Sequence, residues 1–460
     1  MFRTIFNTLG NCLKIPELKS RIGFTLLILG VCRLAACIPV PNLNASLLIE
    51  YLKANEAKTG GGMMGMANMF TGGALGNCAV GALGIMPYIS ATIIIQLLTA
   101  VIPQLSKLAR EEGGRVQIIK YSRYLTVLLC IGWGIATALG WENPGSLFPG
   151  FTGSLIDPHT NIWWYRIQTI LILTTGTMLL MWLGEQITER GIGNGISLII
   201  TIGILARLPN AFQGLTDMFL PGAGVEAKFN FGHGVALVLL LAGVIAGVIA
   251  ITQAQRKIPV QYAQRAVGRK MYQGGTSFMP LKVNYAGVMP VIFASSILMF
   301  PQRIFQWLGT SYNVRFFKTL AGSLDYGAAS YLVLYGLMIL FFSYFWVATQ
   351  FNELQIADDL KKNGGYVPGV RPGTATSDYL HNAMSRITLA GAVFLVIIAV
   401  IPIILSRWMQ IPQAVSQYFG GTSMLIMVGV LLDTMRQMES HLLMRHYDGF
   451  LKKGRVRGRF

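Results

Sequence analysis

Charge is scarce in this sequence. Of 460 residues only 12% are Asp, Glu, Lys or Arg, against roughly 25% in a soluble domain of ordinary composition, and that excludes the soluble class. Acids are the rarer sign, 19 against 37 Lys and Arg, and the apolar stretches carry no clear Asp, Glu or His at their centres. That gap opposes a proton- or ion-driven solute carrier, which needs such groups at mid-membrane; Glu185 and Asp433 fall near span ends. The five cysteines, Cys12, Cys32, Cys37, Cys78 and Cys130, stand in or beside apolar segments without paired spacing. Neither a disulfide framework nor a zinc site is expected from them. His441 and His446 are wrongly spaced for one helix face. HExxH, GxSxG and GxxxxGK[ST] are missing, and "GIGNG" at 191–195 lacks the spacing and preceding strand of a dinucleotide site. No catalytic residue, cofactor or metal is therefore expected, and the chain is not expected to hydrolyse nucleotide or peptide.

What is abundant is apolar length. Hydrophobic residues make up 53% of the chain, and at about 20 residues per crossing ten spans are predicted: 22–40, 78–102, 124–139, 163–184, 193–208, 233–252, 283–300, 330–350, 387–405 and 420–434. The formal net charge of +18 must then sit between them. Segment 103–123 carries Lys107, Arg110, Arg115, Lys120 and Arg123, and 252–282 carries six Lys and Arg with no acid, whereas 141–164 has neither Lys nor Arg. This alternation puts both termini and the basic loops in the cytoplasm, with 301–330, which holds Arg303, Arg315 and Lys318, as an exception. "LAAC" at 34–37 resembles a lipoprotein cleavage box, but Arg33 interrupts the apolar region such a signal needs.

The expected fold is an all-α polytopic membrane protein. An even span count divides into an N-terminal half, 21–210, and a C-terminal half, 211–435, flanked by a cytoplasmic segment 1–20 and a basic tail 436–460. Because the halves start on opposite sides, they are expected to be inverted repeats around a central path. The architecture alone also suits a secondary solute transporter.

Isoleucines recur at helical spacing, Ile85 with Ile89 and Ile196 with Ile200, beside Gly84, Gly193 and Gly195. Lipid-facing or core isoleucine is the commoner reason for such pairs; the glycines point to close packing or irregular backbone. The loop "QRKIPVQYAQRAVGRKMYQGG", 255–275, alternates apolar and polar residues as a projecting strand pair does. It reads either as a docking finger for an anionic partner or as a basic loop that sets topology. "GGYVPGVRPG", 364–373, is a turn presenting Arg371. Arg33, inside the first span, is expected to snorkel or pair toward the outer interface. "NMFTGGALGN", 68–77, is too wet for a span and too apolar for a linker. Irregular backbone of that kind is tolerable at membrane depth only inside protein or beside a water-filled cavity.

The stretches "NMFTGGAL", "LGIMPYISATIIIQLL", "ERGIGNGISL", "IPVQYAQR", "PLKVNYAGVMPVIFASS", "GGYVPGVRPG" and "FGGTSMLI", in that order, resemble the SecY family, the central subunits of the bacterial Sec protein-translocation channel. The resemblance implies an hourglass pore between two five-helix halves in the inner membrane. Through it unfolded polypeptides cross, and transmembrane segments leave sideways between the second and seventh spans. It implies a waist of Ile85, Ile89, Ile196, Ile200, Ile292 and Ile426; a re-entrant plug of about 63–77, with Met69, Phe70, Gly72, Gly73 and Leu75; and a lateral gate carrying Gln96 and Asn284, whose polar groups would bond to each other in the closed seam. It further implies that Arg256, Lys257, Arg265, Arg269 and Arg371 dock the ribosome or the SecA ATPase. SecE and SecG are the implied membrane partners, besides lipid and signal-bearing substrate chains. Where the family pattern has "QFNPEE" this chain has "QFNELQ", which puts the shape of the Arg371 loop in doubt.

Overall fold

The computed structural model describes residues 15–51, 68, 70–111, 113–144, 151, 153–158, 160–219, 231–262, 265–267, 270–272, 275–311, 314–325, 327–408, 415 and 422–453. A helix occupies each of the predicted spans: α1 (Pro16–Cys37), α2 (Met86–Val101), α4 (Gly114–Glu142), α5 (Ile162–Arg190), α6 (Gly195–Leu205), α8 (Phe231–Gln253), α9 (Met289–Ser311), α11 (Ala329–Gln350), α13 (Thr374–Trp408) and α14 (Thr422–Lys453). Among the described residues seven helices are long and apolar enough to cross a bilayer unaided, and an eighth candidate is bent. There α2 turns through 105° into α3 (Pro103–Arg110), a helix where the sequence reading expected only a basic loop. Proline ends α2 because the residue before it is pushed out of the helical region. Three further short helices follow spans: α7 (Leu208–Phe219), α10 (Arg315–Ser323) and α12 (Glu353–Lys362). The expected boundary between the halves at 210 falls within α7. The basic tail is helical as far as Lys453; 454–460 lies outside the described residues.

Two predicted spans begin too early. The second helix starts at Met86 rather than 78, and the seventh at Met289 rather than 283. Each opens on Met-Pro, with the proline in the first turn, where its missing N–H costs least. Gly84 (φ 59°) and Gly287 (φ 64°) stand just upstream in the left-handed region, which apolar composition does not reveal.

Helix α4 packs on α2 and α5, α6 on α5, α1 and α14, and α9 on α2, α11 and α14. Both ends of the α4–α5 pair are tied by bidentate ion pairs, Arg123–Glu185 at 2.7 Å and Arg166–Glu142 at 2.9 Å. Outward-facing Leu26, Leu27, Leu171, Val238, Leu239 and Val333 are each more than half exposed, an apolar surface suited to lipid as solvent.

Outside the bundle, β1 (Gln255–Tyr262) pairs antiparallel with β4 (Thr276–Lys282), while β2 (Arg265–Val267) and β3 (Lys270–Tyr272) form the hairpin between them. The expected strand pair is therefore present. A third partner was not expected: β5 (Gly365–Tyr366) adds to β1 through Gln261↔Tyr366 and Tyr262↔Gly365.

Candidate functional site

Residues 71–85 run among the helices as turns, without becoming one, and with Phe70 they are mostly buried: Ala74 and Cys78 are 0% exposed, Leu75 5% and Phe70 6%. Their backbone is bonded chiefly to itself. Gly73 N–H donates to Asn68 O (2.7 Å), Asn77 N–H to Gly73 O (3.0 Å), and Ala79 N–H to Ala74 O (2.9 Å), while the Asn68 side-chain oxygen accepts from Gly76 N–H (2.9 Å). The end of α1 takes the rest, with Val80 N–H on Ile38 O and Gly81 N–H on Ala35 O. Irregular backbone of this kind is tolerable among apolar helices because protein surrounds it. A cavity of about 10 Å³ beside Leu75, Leu83, Met86 and Met299 has room for one water at most. Met69 and 63–67 lie outside the described residues.

Of the expected waist, Ile85, Ile89, Ile200, Ile292 and Ile426 are 0–5% exposed and belong to one continuous core, against which the half-buried Ile196 packs. The first contact of α2 is Ile89 N–H on Ile85 O (3.1 Å). Helix α6 is started by Asn194, whose side chain accepts from Ile196 N–H and Ser197 N–H. Three helices hold the "GIGNG" turn: Thr25 of α1 accepts from Ile192 N–H, Thr188 of α5 from Gly195 N–H, and Gln437 of α14 from Gly193 N–H. A tight turn feeding a span is thus the physical role of that motif.

A signal missed in the sequence becomes visible once the helix starts are aligned. "GIMPYI" (84–89) opens the second span and "GVMPVI" (287–292) the seventh; "GISLII" (195–200) opens the fifth and "GTSMLI" (421–426) the tenth. The second spans of the two halves thus share the hexapeptide pattern G-x-M-P-x-I, and the fifth spans share G-x-S-x-x-I. The last residue of each is Ile89, Ile292, Ile200 or Ile426, four of the six expected waist positions.

The expected bond between Gln96 and Asn284 is not formed. Asn284 Nδ2 donates to Gly287 O at 2.9 Å, closing the turn that leads into α9, and Gln96 Oε1 is buried without a partner. A side-chain amide three residues from a free carbonyl satisfies itself locally at less entropic cost than across two helices. Between α2 and α9 the polar contact is instead Ser296 Oγ to Met86 Sδ at 3.5 Å.

Arg256 and Lys257 are exposed at the start of β1, Arg265 opens β2, and Arg269 lies outside the described residues. Arg371 is exposed in a turn closed by Val370 N–H on Val367 O and by Thr376 Oγ1 on Arg371 O. One small core joins the two loops: Ile258, Leu281, Val367, Leu380 and Met384 are at most 3% exposed within it. The QFNELQ departure falls at the start of α12, and Glu353 is its first residue. Proline also fits that position; Asn352 caps the helix, and Glu353 Oε1 meets His381 Nδ1 of α13 at 2.7 Å.

The family model described as SecY matches residues 79–435. A protein translocase subunit SecY of Chlamydia trachomatis is 42% identical over 98% of this chain and 99% of its own length. That of Escherichia coli K12 is 42% identical over 96% of each. A solved protein-conducting channel covers 92% of both chains with TM-score 0.58 at 18% identity. A second, studied for a plug domain that stabilises the closed state of SecY, covers 92% of both chains with TM-score 0.56 at 17% identity. At those identities the solved structures speak for the fold, a polytopic helical bundle, and the long, high-identity matches speak for descent: the chain belongs to the SecY family.

Proposed function

We propose that the chain is a protein-conducting channel that passes unfolded polypeptides across the bacterial inner membrane and releases apolar segments sideways between α2 and α9. The observation that carries this is the repeated hexapeptide. It points to two inverted halves, 21–210 and 211–435, each delivering one isoleucine from its second span and one from its fifth to a common centre. A collar of bulky apolar side chains disfavours a continuous water column and offers no fixed charge to hold a passing chain. Segment 68–77 is the plug that closes it. Both termini and the basic loops face the cytoplasm, as the charge bias favours. SecE and SecG are the proposed membrane partners, and SecA or the ribosome supplies the drive. In vesicles containing the complex, the motor and ATP, a stalled substrate should crosslink to photoreactive groups at Ile85 and Ile292 and emerge uncleaved. Crosslinks confined to other surfaces, or uptake of a small solute on an ion gradient, would overturn the reading.

The shared core beneath Ile258 and Val367 supports treating Arg256, Lys257 and Arg371 as one rigid docking surface. Arginine and lysine suit phosphate and carboxylate groups. Reversing the three to Glu is expected to weaken binding of the motor or ribosome by roughly 10- to 100-fold at low salt, with much less difference at high salt. Equal affinity of reversed and native channels in a low-salt flotation assay would refute the docking role.

A further inference from the structure

The charge in the first span has a partner in the plug segment. Arg33, half-buried one turn from the end of α1, donates from Nη1 to Gly72 O at 3.1 Å. Among the described residues no carboxylate pairs with it. The turn it grips fits closely. Gly72 has φ 66°, and a Cβ there would lie 2.3 Å from Arg33 Nη1 and 2.8 Å from Gly203 Cα of α6. A Cβ on Gly203 would in turn stand 3.0 Å from Phe70 O. Arg207, at the foot of α6, brings a second guanidinium to within 3.7 Å of where a Cβ on Gly73 would be.

Resting on the plug reading above, we propose that Arg33 is a positioning residue for the closed channel: its bond to the Gly72 carbonyl latches the glycine turn between α1 and α6, and breaking that bond is a step of opening. The physics makes the latch sensitive to state. In a closed, poorly hydrated funnel a guanidinium without a hydrogen-bond acceptor is costly, so the Gly72 carbonyl holds it strongly. Once an arriving chain displaces the turn and water fills the funnel, the same guanidinium is solvated and the latch loses its advantage. The bond thus resists opening at its start and not afterwards.

The test uses the full translocase in vesicles, with Arg33→Leu, Arg33→Lys, deletion of 68–77, and Arg33→Leu combined with that deletion. Arg33→Leu should raise resting ion leak about tenfold, the factor equivalent to about 1.4 kcal/mol, and should let a weakened signal sequence start transport. Arg33→Lys, which keeps a cationic donor but not the guanidinium fork, should fall between it and the native chain. In the deletion background Arg33→Leu should add nothing, because the carbonyl it served is gone. Native leak in an Arg33→Leu complex of normal abundance overturns the latch; so does an equal added leak with and without 68–77, which would mark a merely structural role. If Arg33→Leu fails to accumulate, Arg33→Lys decides: a leak no higher than native overturns the latch. An ion-tight 68–77 deletion would instead overturn the plug reading, whatever Arg33 does.

Discussion

Deleting residues 68–77 is expected to raise the resting ion conductance of reconstituted channels on the order of a hundredfold, while the rate of protein translocation falls by less than about threefold. The estimate starts from Phe70 and Leu75, 6% and 5% exposed. Burying such side chains against apolar walls rather than in water is worth about 1.5–3 kcal/mol each, so losing both removes at least about 3 kcal/mol of bias toward the closed state, roughly two decades in its population. On the plug reading, translocation should be affected less because the open channel has already displaced the segment. Planar-bilayer conductance and import of a reporter precursor, measured on the same preparation, give the two numbers. An ion-tight deletion, or one that abolishes transport without leak, would contradict the assignment.

The large features were legible because they are written in composition. Ten apolar runs gave ten helices, and the alternating "IPVQYAQR" gave the β1–β4 ribbon. Harder to read was backbone that is apolar, buried and not helical. Residues 78–85 look like the start of a span, but the left-handed conformations at Cys78 (φ 47°) and Gly84 (φ 59°) depend on what surrounds them. Contacts between distant residues were equally silent. Arg33 and Gly72 are 39 residues apart, and β5 reaches β1 from beyond two spans, so no local pattern records either contact. The Asn284 side chain does not bond to Gln96 for the opposite reason: an acceptor, Gly287 O, is local, and proximity in sequence prevails. The hexapeptide repeat was present in the letters all along. Three or four identical positions per pair, in halves of about two hundred residues, disappear in any long comparison, and they gain meaning only because each stretch begins a helix.

Placing a polar group at the waist should open the resting channel by a route independent of the plug. Ile89, Ile200, Ile292 and Ile426 are between 0% and 5% exposed, so Asn at any of them buries an amide with few partners in the closed state, at about 1–3 kcal/mol. Water entering the waist relieves that cost, and each single variant should therefore leak roughly ten- to a hundredfold more than the native channel. Ile→Leu at the same positions keeps the apolar volume and should stay tight. The repeat adds a sharper expectation. Ile89→Asn should match Ile292→Asn, and Ile200→Asn should match Ile426→Asn, because each pair holds the same place in its half. Strongly unequal leaks within a pair would show that the halves do not contribute equivalently. Combination with the plug deletion then separates the two barriers. Independent barriers in series each multiply the probability of a conducting path, so a waist variant should raise the leak of the 68–77 deletion by the same factor as in the full chain. Arg33→Leu should not, because its effect runs through the plug alone. Non-multiplicative leak from the waist variants would mean that plug and waist open as one unit, with the glycine turn at Gly72 and the start of α2 at Ile85 moving together.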